Sequence, residues 1–564
     1  MRTQILISLV LWARTALAVA PLVDLGYAKY SGRVVGDGTT QWLGIRYAAP
    51  PLGRLRFTAP QRPLNTSGIQ DATKFGPICL PCSPTDWTMK PSTHFTVDED
   101  CLYVNVFAPS NASSSSPSLL PVMFFIQGGG FGSNSNANYN GSDLARKGNM
   151  IVVSMNYRVG PFGFLQSEEL DKEGGLNAGI RDQILALEWV RENVGKFGGN
   201  ASHVVLNGDS AGAMSLVILM TSPIIIATQP PLFIGAISES VFETSLTTLA
   251  QGSQKYACLL SATSCRNTTT TTIPESLASI SRSISTDSLS CLRTLNATAL
   301  QTNCSFGPHF DGNLITKTAT EAFESGQYVK VPSIFGATTE EGAKDMGTQF
   351  INSTAEANAV FKTKFPGLTN ASIDALDRMY LGGNGSWPVF ANDGKLWRPM
   401  SNAVTEFGPV CLDRYFQNIF AKDGVPSWTY NYAVLDPENE AKGYGAYHTV
   451  EIHATWGPNN TDGNPPKSYL PSSSNAPIVS TIQHYWISFI AHLDPNTARL
   501  ASAPAWGPWN AGADVAGQRL FVRTNETRMQ DMPAEQVRRC EALGGLVRAA
   551  ERGGGADVEV VWDG

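Results

Sequence analysis

The middle of the chain alternates short apolar runs with longer amphipathic segments. Residues 122–126 and 151–155 are largely apolar and rich in β-branched side chains, as is typical of strands that are covered on both faces. Between Asn177 and Val194, apolar side chains recur at helical spacing and charged ones take most other positions, which predicts an amphipathic helix lying on a sheet. A further buried strand begins at His203. This order predicts an α/β fold, in which helices cover both faces of a large, mostly parallel central sheet.

The strand that begins at His203 leads directly into a G-x-S-x-G sequence, from Gly208 to Gly212, and an apolar, helix-compatible stretch follows. A serine on a tight strand-to-helix turn needs minimal side chains two residues before and two residues after it. The start of the helix also directs its dipole and its N–H groups toward developing negative charge. The pattern therefore predicts Ser210 as a nucleophile; the alternative is an ordinary turn between a strand and a helix.

A second glycine cluster, Gln127-Gly128-Gly129-Gly130-Phe131, follows the strand that ends at Ile126. Such a loop can present backbone N–H groups to an oxyanion. The alternative is a flexible or phosphate-binding loop, but no P-loop lysine follows and no G-x-G-x-x-G occurs there. A nucleotide site is therefore disfavoured.

Composition and charge narrow the classes of partner. The 564 residues carry a net charge of −7, and 42% of them are hydrophobic against 16% charged, which suits a well-buried globular chain. A protein that binds nucleic acid normally carries a basic excess or a basic patch. We therefore expect no nucleic-acid partner.

The amino terminus has the pattern of an export signal. Arg2 precedes an apolar stretch over residues 5–12, and small residues follow at Ala18 and Ala20. The stretch is too short to span a bilayer, so we predict a signal peptide over residues 1–18 and a secreted protein; the alternative is an ordinary first strand. No later segment is apolar enough for a transmembrane helix, and we expect no stable membrane insertion.

Two further features agree with export. The nine cysteines are compatible with disulfides in an oxidising compartment, and their spacing shows no paired C-x-x-C zinc pattern. Sequons of the form Asn-x-Ser/Thr, which accept N-linked glycans, occur at a density that suits a glycoprotein. They begin at Asn65, Asn111, Asn140, Asn200, Asn267, Asn296, Asn303, Asn352, Asn370, Asn384, Asn459 and Asn525.

A serine hydroxyl is a poor nucleophile by itself, so it needs a base and an acid that orients the base. In folds with this nucleophile turn, the three follow in the order Ser, then Asp or Glu, then His. Spacing alone does not choose among the many downstream acids. It also does not choose among the candidate histidines, which are His448, His453, His484 and His492.

Three motifs together resemble the type-B carboxylesterase/lipase family, which also contains the cholinesterases, and the chain looks like a fungal member. Residues 99–106, Glu-Asp-Cys-Leu-Tyr-Val-Asn-Val, are similar to the family's EDCLxLNV motif. Residues 44–48, Gly-Ile-Arg-Tyr-Ala, are similar to its amino-terminal signature. Residues 177–212 are similar to its helix, FGG turn and nucleophile elbow together.

The resemblance extends from about Gly32 to Cys540 and implies an α/β-hydrolase fold with long insertions, in one domain over residues 19–544. Residues 545–564 fit the family poorly, so we predict that they form a tail outside the domain. A disordered tail is one interpretation. The implied activity is hydrolysis of a small-molecule carboxylic ester through an acyl-enzyme, without a metal or an organic cofactor. Two alternatives stay open: a lipase or sterol esterase on the same scaffold, or a binding or adhesion protein that has lost the chemistry. The natural ester and the oligomeric state also stay open.

Carried onto this sequence residue by residue, the resemblance makes Ser210 the acyl-forming nucleophile and His448 the general base. His453 then falls on a non-catalytic position. The family's acid precedes a glycine, a context that Glu341 matches. Its neighbour Glu340 is a close rival, because adjacent residues cannot both point at the base.

The resemblance also implies three oxyanion donors, the backbone N–H groups of Gly129, Gly130 and Ala211. Ser240 falls where the family often has a serine behind the triad. Two residues depart from the family pattern. Asp209 replaces the usual glutamate before the nucleophile, and Gln127 replaces the common histidine or aromatic residue before the glycines; both keep hydrogen-bonding capacity.

The family's disulfides imply the pairs Cys79–Cys101, Cys265–Cys291 and Cys411–Cys540. The cysteines left over are Cys82, Cys258 and Cys304. Three cysteines cannot pair completely, so we predict one free thiol or an intermolecular bridge. The first loop also contains Trp87, a candidate cation–π platform, but its offset from the second cysteine favours an ordinary packed or rim tryptophan.

Overall fold

A computed structural model describes residues 21–90, 95–242, 246–266, 288–345, 351–364, 368–382, 394–462, 465–510 and 517–551. The predicted signal peptide, residues 1–18, lies outside the described residues. The sequons at Asn267 and Asn384 lie outside them as well.

The described residues form sixteen strands, which are numbered here in chain order. They are β1 (Leu22–Asp24), β2 (Lys29–Ser31), β3 (Arg33–Val35), β4 (Thr39–Arg46), β5 (Ile69–Asp71), β6 (Ile78–Cys79), β7 (Val97–Asp98), β8 (Tyr103–Pro109), β9 (Leu120–Ile126), β10 (Ile151–Met155), β11 (Gly199–Asp209), β12 (Gly235–Glu239), β13 (Ser333–Thr338), β14 (Ser427–Tyr432), β15 (Gln518–Val522) and β16 (Arg528–Asp531).

Eleven of these strands form one sheet in the order β16-β15-β14-β13-β12-β11-β9-β10-β8-β4-β3. The strands from β15 to β10 in that order run parallel to one another. The strands at both edges pair antiparallel. The predicted large, mostly parallel central sheet is confirmed, and the two apolar runs of the sequence are its neighbouring strands β9 and β10.

Helices alternate with these strands along the chain. They are α1 (Ser142–Gly148), α2 (Gly160–Phe164), α3 (Glu168–Lys172), α4 (Ala178–Asn193), α5 (Ala211–Thr221), α6 (Pro223–Ala227), α7 (Leu249–Ala262), α8 (Ser288–Thr294), α9 (Ala319–Glu324), α10 (Glu341–Asp345), α11 (Thr354–Lys364), α12 (Asn370–Leu376), α13 (Trp397–Thr405), α14 (Cys411–Lys422), α15 (Pro437–Ala441), α16 (Ile452–Trp456), α17 (Ala476–His492) and α18 (Ala534–Glu551). Short 3-10 helices span Gly53–Leu55, Trp87–Met89, Val194–Phe197, Ala297–Leu300 and Lys467–Tyr469, and π-helical turns span Asp377–Leu381 and Glu406–Val410. Within the described residues, no helix combines the length and the apolar character needed to cross a membrane.

Side chains of the central strands enter a separate hydrophobic core on each face of the sheet. In β9, Phe124 and Ile126 belong to the core that also contains apolar residues of α4 and α5. Met123 and Phe125 belong to the opposite core, which contains apolar residues of α17. Because successive side chains of a strand point to opposite faces, burial of both faces explains the unbroken apolar run in the sequence. The prediction of helices on both faces is confirmed.

The last described helix, α18, passes through the predicted end of the domain at Gly544. Leu543 and Leu546 are both buried, so the buried face of the helix continues past that boundary. Residues 545–551 are therefore helical, and residues 552–564 lie outside the described part of the chain. A disulfide between Cys411 and Cys540 joins this helix to α14.

Candidate active site

The segments predicted to carry chemistry all follow the carboxyl ends of neighbouring parallel strands. The glycine loop follows β9, and Ser210 follows β11. Ser240 follows β12, Glu341 follows β13 after two residues, and His448 lies in the long connection after β14. Carboxyl ends of parallel strands share one edge of the sheet. The fold therefore brings to one place residues that are far apart along the chain.

Ser210 lies on a strained turn between β11 and α5, with φ 54° and ψ −120°. A Cβ atom at Gly208 would lie 2.8 Å from the backbone carbonyl carbon of Gly212. A Cβ atom at Gly212 would lie 2.0 Å from the carbonyl oxygen of Ile126, the last residue of β9. Both positions therefore require glycine, and the second one packs the turn directly against the start of the glycine loop.

His448 contacts both other members of the predicted triad. Its Nε2 atom lies 2.8 Å from Oγ of Ser210, and its Nδ1 atom lies 2.5 Å from Oε2 of Glu341. When the Nδ1–H group donates to the carboxylate, Nε2 is left as the acceptor for the serine O–H. The arrangement can therefore move a proton from the serine to the imidazole.

Glu341 is fully buried and uses its second oxygen to anchor itself. Its Oε1 atom accepts the backbone N–H of Thr338 at 2.6 Å and the hydroxyl of Ser240 at 2.6 Å. The carboxylate is therefore held from behind while Oε2 faces the imidazole. Ser240, which the resemblance placed behind the triad, lies in direct contact with the acid.

The remaining candidate acid and histidines have other contacts. Glu340 bonds to the backbone of the loop that precedes the imidazole and not to the imidazole itself. His453 lies 2.8 Å from the hydroxyl of Thr461, and His484 lies 2.7 Å from a carbonyl oxygen of its own helix. His492 is the last residue of that same helix, α17. Of the four candidate histidines, His448 is the one that contacts the serine, and of the two adjacent glutamates, Glu341 is the one that contacts this histidine.

The glycine loop is tied to the residue that precedes the nucleophile. The backbone N–H of Gly128 donates to Oδ1 of Asp209 at 3.1 Å, and a Cβ atom at this glycine would lie 2.8 Å from the other carboxylate oxygen. Gly129 and Gly130 follow at φ 117° and 60°. No acceptor in the described part of the chain takes their N–H groups, and Ala211 is the first residue of α5, whose N–H has no acceptor within its helix.

The residue before the glycines, Gln127, explains one departure from the family pattern. Its Nε2 group donates to Oδ1 of Asn134 at 2.9 Å, and Asn134 in turn donates to the carbonyl oxygen of Cys79 at 2.6 Å. The amide side chain thus links the two ends of the glycine loop to the disulfide Cys79–Cys101. A hydrogen-bonding residue is needed here, and glutamine supplies one.

Sequence reasoning missed the role of a buried acid behind the triad. Glu451 accepts the hydroxyl of Tyr430 at 3.0 Å and that of Ser240 at 3.3 Å. Burial raises the pKa of Glu451 well above its ordinary value, and the nearby charge of Glu341 adds to that shift. The resemblance offered a signal, because the family's histidine is followed three residues later by a glutamate, as His448 is by Glu451.

A second missed acid, Glu239, is paired with Asp209 across strands β12 and β11. Its Oε1 atom accepts N–H groups of Asn207 and Trp486, each at 2.7 Å. Burial raises the pKa of Glu239 to about 8. Burial also raises the pKa of Asp209 to about 7, against the opposing effect of His448. No local pattern in the sequence distinguished Glu239 from the other acids.

The cysteines pair as the resemblance implies for three disulfides, and the structure adds a fourth. The bridges are Cys79–Cys101, Cys265–Cys291, Cys411–Cys540 and, from the cysteines left open, Cys258–Cys304. Cys82 is the remaining thiol. Its Sγ donates to the carbonyl oxygen of Cys304 at 2.9 Å, and burial raises its pKa to about 11. The leftover thiol predicted from the count of cysteines is therefore Cys82.

Trp87 lies on the Cys79–Cys101 loop, where it is 43% exposed and packs edge-on against Phe95 with ring centroids 5.6 Å apart. This position is that of a rim tryptophan.

No metal site is evident among the described residues. They contain no group of three His, Cys, Asp or Glu side chains arranged to hold an ion.

Comparisons with known proteins agree with this geometry. Para-nitrobenzyl esterase of Bacillus subtilis is 44% identical over 205 residues, which are 36% of this chain and 40% of the length of that esterase. Lipase 2 of Geotrichum candidum is 30% identical over 539 residues, which cover 85% of this chain and 88% of the lipase. The crystal structure of Aspergillus niger EstA has a TM-score of 0.83 at 34% identity, and covers 94% of this chain and 99% of EstA.

These matches confirm the family and the α/β-hydrolase fold that the sequence motifs implied, whereas the fungal source stays a prediction. The model of the carboxylesterase family matches residues 20–539, which is most of the chain. Relatives with esterase and lipase names share this family with the chain. The chain therefore belongs to the carboxylesterase family and is a carboxylic ester hydrolase.

Proposed function

We propose that this chain hydrolyses small-molecule carboxylic esters through an acyl-enzyme on Ser210, with His448 as general base and Glu341 as the acid that orients it. The observation that carries the proposal is the double contact of the imidazole, 2.8 Å from the serine and 2.5 Å from the carboxylate. Membership of the carboxylesterase family supports ester hydrolysis independently of this geometry.

In the first step, Nε2 of His448 takes the proton of Ser210 while Oγ attacks the ester carbonyl carbon. Glu341 holds the imidazole in the tautomer that leaves Nε2 free and stabilises the positive charge that forms on the ring. The strained turn presents Oγ at the edge of the sheet, so the attack needs no rearrangement of the strand. The products of this step are a tetrahedral intermediate and an imidazolium.

The oxyanion of that intermediate is stabilised by the backbone N–H groups of Gly129, Gly130 and Ala211. Loss of one such donor raises a barrier of this kind by roughly 3–4 kcal/mol. Collapse of the intermediate transfers the proton from His448 to the leaving alcohol and leaves the acyl-enzyme. Water then attacks the acyl carbonyl with His448 as base, and the carboxylic acid is released.

The direct test is labelling of the folded protein with a fluorophosphonate probe, followed by peptide mapping and an ester hydrolysis assay. We expect the label on Ser210, and we expect Ser210→Ala to lose both labelling and turnover. Ser215→Ala is the matched control, because Ser215 lies one turn along the same helix and bonds to Ala211 and Gln183 instead. A folded protein whose Ser210 stays unlabelled would favour the alternative of a binding protein that has lost the chemistry.

A lipase or sterol esterase is the second candidate, because this chain aligns with 88% of a protein named Lipase 2. The loop closed by Cys79 and Cys101 supports the esterase proposal instead, since 22 positions separate the two cysteines and the resemblance implies a longer lid in the lipases of the family. Hydrolysis rates of one ester, measured below and above the concentration at which the ester aggregates, distinguish a simple esterase from a lipase. A simple esterase shows no jump at that concentration, whereas a marked rise in rate would identify a lipase.

We also propose that the protein is exported as a glycoprotein after cleavage behind Ala18. Four disulfides support an oxidising compartment, and the sequon residues Asn65 and Asn111 are exposed. Amino-terminal sequencing of protein from the medium of an expressing eukaryotic host is expected to start at Val19. The mass is expected to fall on enzymatic removal of N-glycans. Retention in the cells with Met1 in place would contradict the proposal.

A further inference from the structure

Glu340 stands directly before the acid of the triad, yet its carboxylate faces the loop that leads to His448. The backbone N–H of Glu340 donates to the carbonyl oxygen of Ala446 at 3.1 Å. In return, the backbone N–H of Ala446 donates to Oε2 of Glu340 at 2.8 Å. One residue thus holds both polar backbone groups of Ala446, which lies two positions before the imidazole.

The contact is close enough to restrict the neighbouring backbone. Gly445 has φ +57°, and a Cβ atom there would lie 2.8 Å from Cδ of Glu340. The hydroxyl of Thr339 donates to the same carboxylate oxygen, Oε2, that accepts the N–H of Ala446. A single oxygen atom therefore joins the segment that carries the triad acid to the loop that carries the base.

A second charged side chain holds the other end of this loop. Arg398, on α13, is only 2% exposed, and its guanidinium donates to the carbonyl oxygen of Gly443. Burial raises the pKa of Glu340, and the charge of Arg398 opposes that shift, so the two side chains are near enough to interact. The loop 443–447 is therefore attached to a charged side chain near each of its ends.

We propose that Glu340 and Arg398 are positioning residues for ester hydrolysis, which fix the loop 443–447 so that His448 reaches Ser210 and Glu341 at the same time. This inference rests on the proposed function. The two adjacent glutamates have different roles, because Glu341 orients the imidazole ring whereas Glu340 orients the backbone that carries it. Such anchoring matters because a misplacement of about 1 Å can cost about a hundredfold in rate.

The first experiment compares Glu340→Ala with Glu340→Gln in the full-length protein. We expect Glu340→Ala to lower kcat roughly tenfold to a hundredfold and to leave KM within about twofold, because ground-state binding of the ester is unaffected. Glutamine keeps a carbonyl oxygen that can accept both donors, so Glu340→Gln is expected to recover most of the rate. Thermal unfolding of each variant shows that the folded protein is being compared.

A double-mutant comparison separates positioning from mere support of the fold. Adding Glu340→Ala to His448→Ala is expected to leave the residual hydrolysis rate unchanged, because no imidazole is left to position. Gly445→Ala, which drives a methyl group against the Glu340 carboxylate, is expected to lower kcat without changing KM. Arg398→Met is likewise expected to lower kcat and to leave KM unchanged. Loss of the residual rate and of Tm in the His448→Ala background would mean that Glu340 only supports the fold.

The inference is overturned if Glu340→Ala keeps kcat within about twofold of wild type while Ser210→Ala and His448→Ala abolish turnover. If Ser210→Ala itself keeps full turnover, the proposed function fails instead. The two failures are therefore distinguishable within one set of variants.

Discussion

Two groups of buried carboxylates in this protein have different partners. Asp182 and Glu99 are both buried, and each faces a buried arginine. Arg158 donates to Asp182 through two guanidinium nitrogens at 2.8 and 2.7 Å, and Arg56 donates to Glu99 at 2.5 and 2.6 Å. Each of these carboxylates therefore has a permanent counter-ion.

The carboxylates behind the triad have none. Among the described residues, Asp209, Glu239 and Glu451 have no arginine or lysine nitrogen within 4 Å, and they bond to hydroxyl, amide, indole and backbone N–H groups instead. The pKa values of all three are raised by burial. The one cation that the proposed reaction forms beside them is the imidazolium of His448.

The difference separates carboxylates whose charge is balanced within the fold from acids whose ionisation can respond to a charge that forms near them. A buried carboxylate that faces an arginine keeps its counter-ion whether or not another group nearby becomes charged. An acid without a counter-ion is hard to ionise when it is buried, and a positive charge that appears beside it lowers its pKa. Stability in this region therefore depends on pH.

The largest expected effect sharpens the assignment of the acid. Glu341→Gln removes the charge that orients the imidazole and stabilises its protonated form, so we expect kcat to fall about 10³–10⁴-fold. Glu340→Gln, one residue earlier, is the matched control and is expected to stay within a few-fold of wild type. Steady-state kinetics on one short-chain ester would compare kcat of the two variants. A larger fall for Glu340→Gln than for Glu341→Gln would exchange the roles of the two glutamates.

The next largest effect is on stability, and it concerns the buried carboxylates that face an arginine. Arg158→Met leaves the carboxylate of Asp182 buried without a counter-ion, which is expected to lower the free energy of unfolding by about 3–5 kcal/mol. Urea unfolding would measure this loss. Adding Asp182→Leu to the same protein removes the stranded charge and is expected to restore most of the stability. A loss below about 1 kcal/mol would remove the contrast between the two groups of acids.

A smaller effect concerns the pH dependence of stability. Because burial raises the pKa of Glu239 to about 8, the folded state binds its proton more tightly than the unfolded state does. This contribution to stability is fully present below the ordinary pKa of a glutamate and is lost as pH rises through about 8. Glu239→Gln cannot ionise, so its Tm relative to wild type should rise by roughly 2–5 °C between pH 5 and pH 9. A difference that stays constant with pH would contradict this.

The smallest expected effect is on the pH profile of activity. Asp209 interacts with His448, and its carboxylate favours the protonated, inactive imidazole. Asp209→Asn keeps an oxygen for the N–H of Gly128 but removes the charge, so the acid limb of the kcat/KM profile should move to lower pH by roughly half a unit or less. An unchanged limb would show that this charge does not act on the base.

The sequence was sufficient wherever the chemistry depends on neighbours along the chain. The elbow required glycines two residues before and after Ser210, and the structure shows why, since a methyl group at Gly212 would collide with Ile126. The strands β9 and β10 and the helix α4 were predicted to within about two residues of their observed bounds, because their patterns of apolar residues report burial directly.

The resemblance to a family was needed where spacing left alternatives. It chose Glu341 over Glu340 and His448 over three other histidines, and the structure brings the chosen residues together. The resemblance did not choose the fourth disulfide, Cys258–Cys304, or the buried acid Glu239.

The sequence alone thus determined the class of sheet, the serine elbow and the glycine loop, because each is a local pattern with a local steric cause. Only the tertiary structure decided which carboxylate meets the imidazole, which one holds its loop, and which buried acids lack a cation. Those contacts depend on strand order and on the path of the long connection after β14. Both are set by packing between residues far apart in the chain, which no local pattern records.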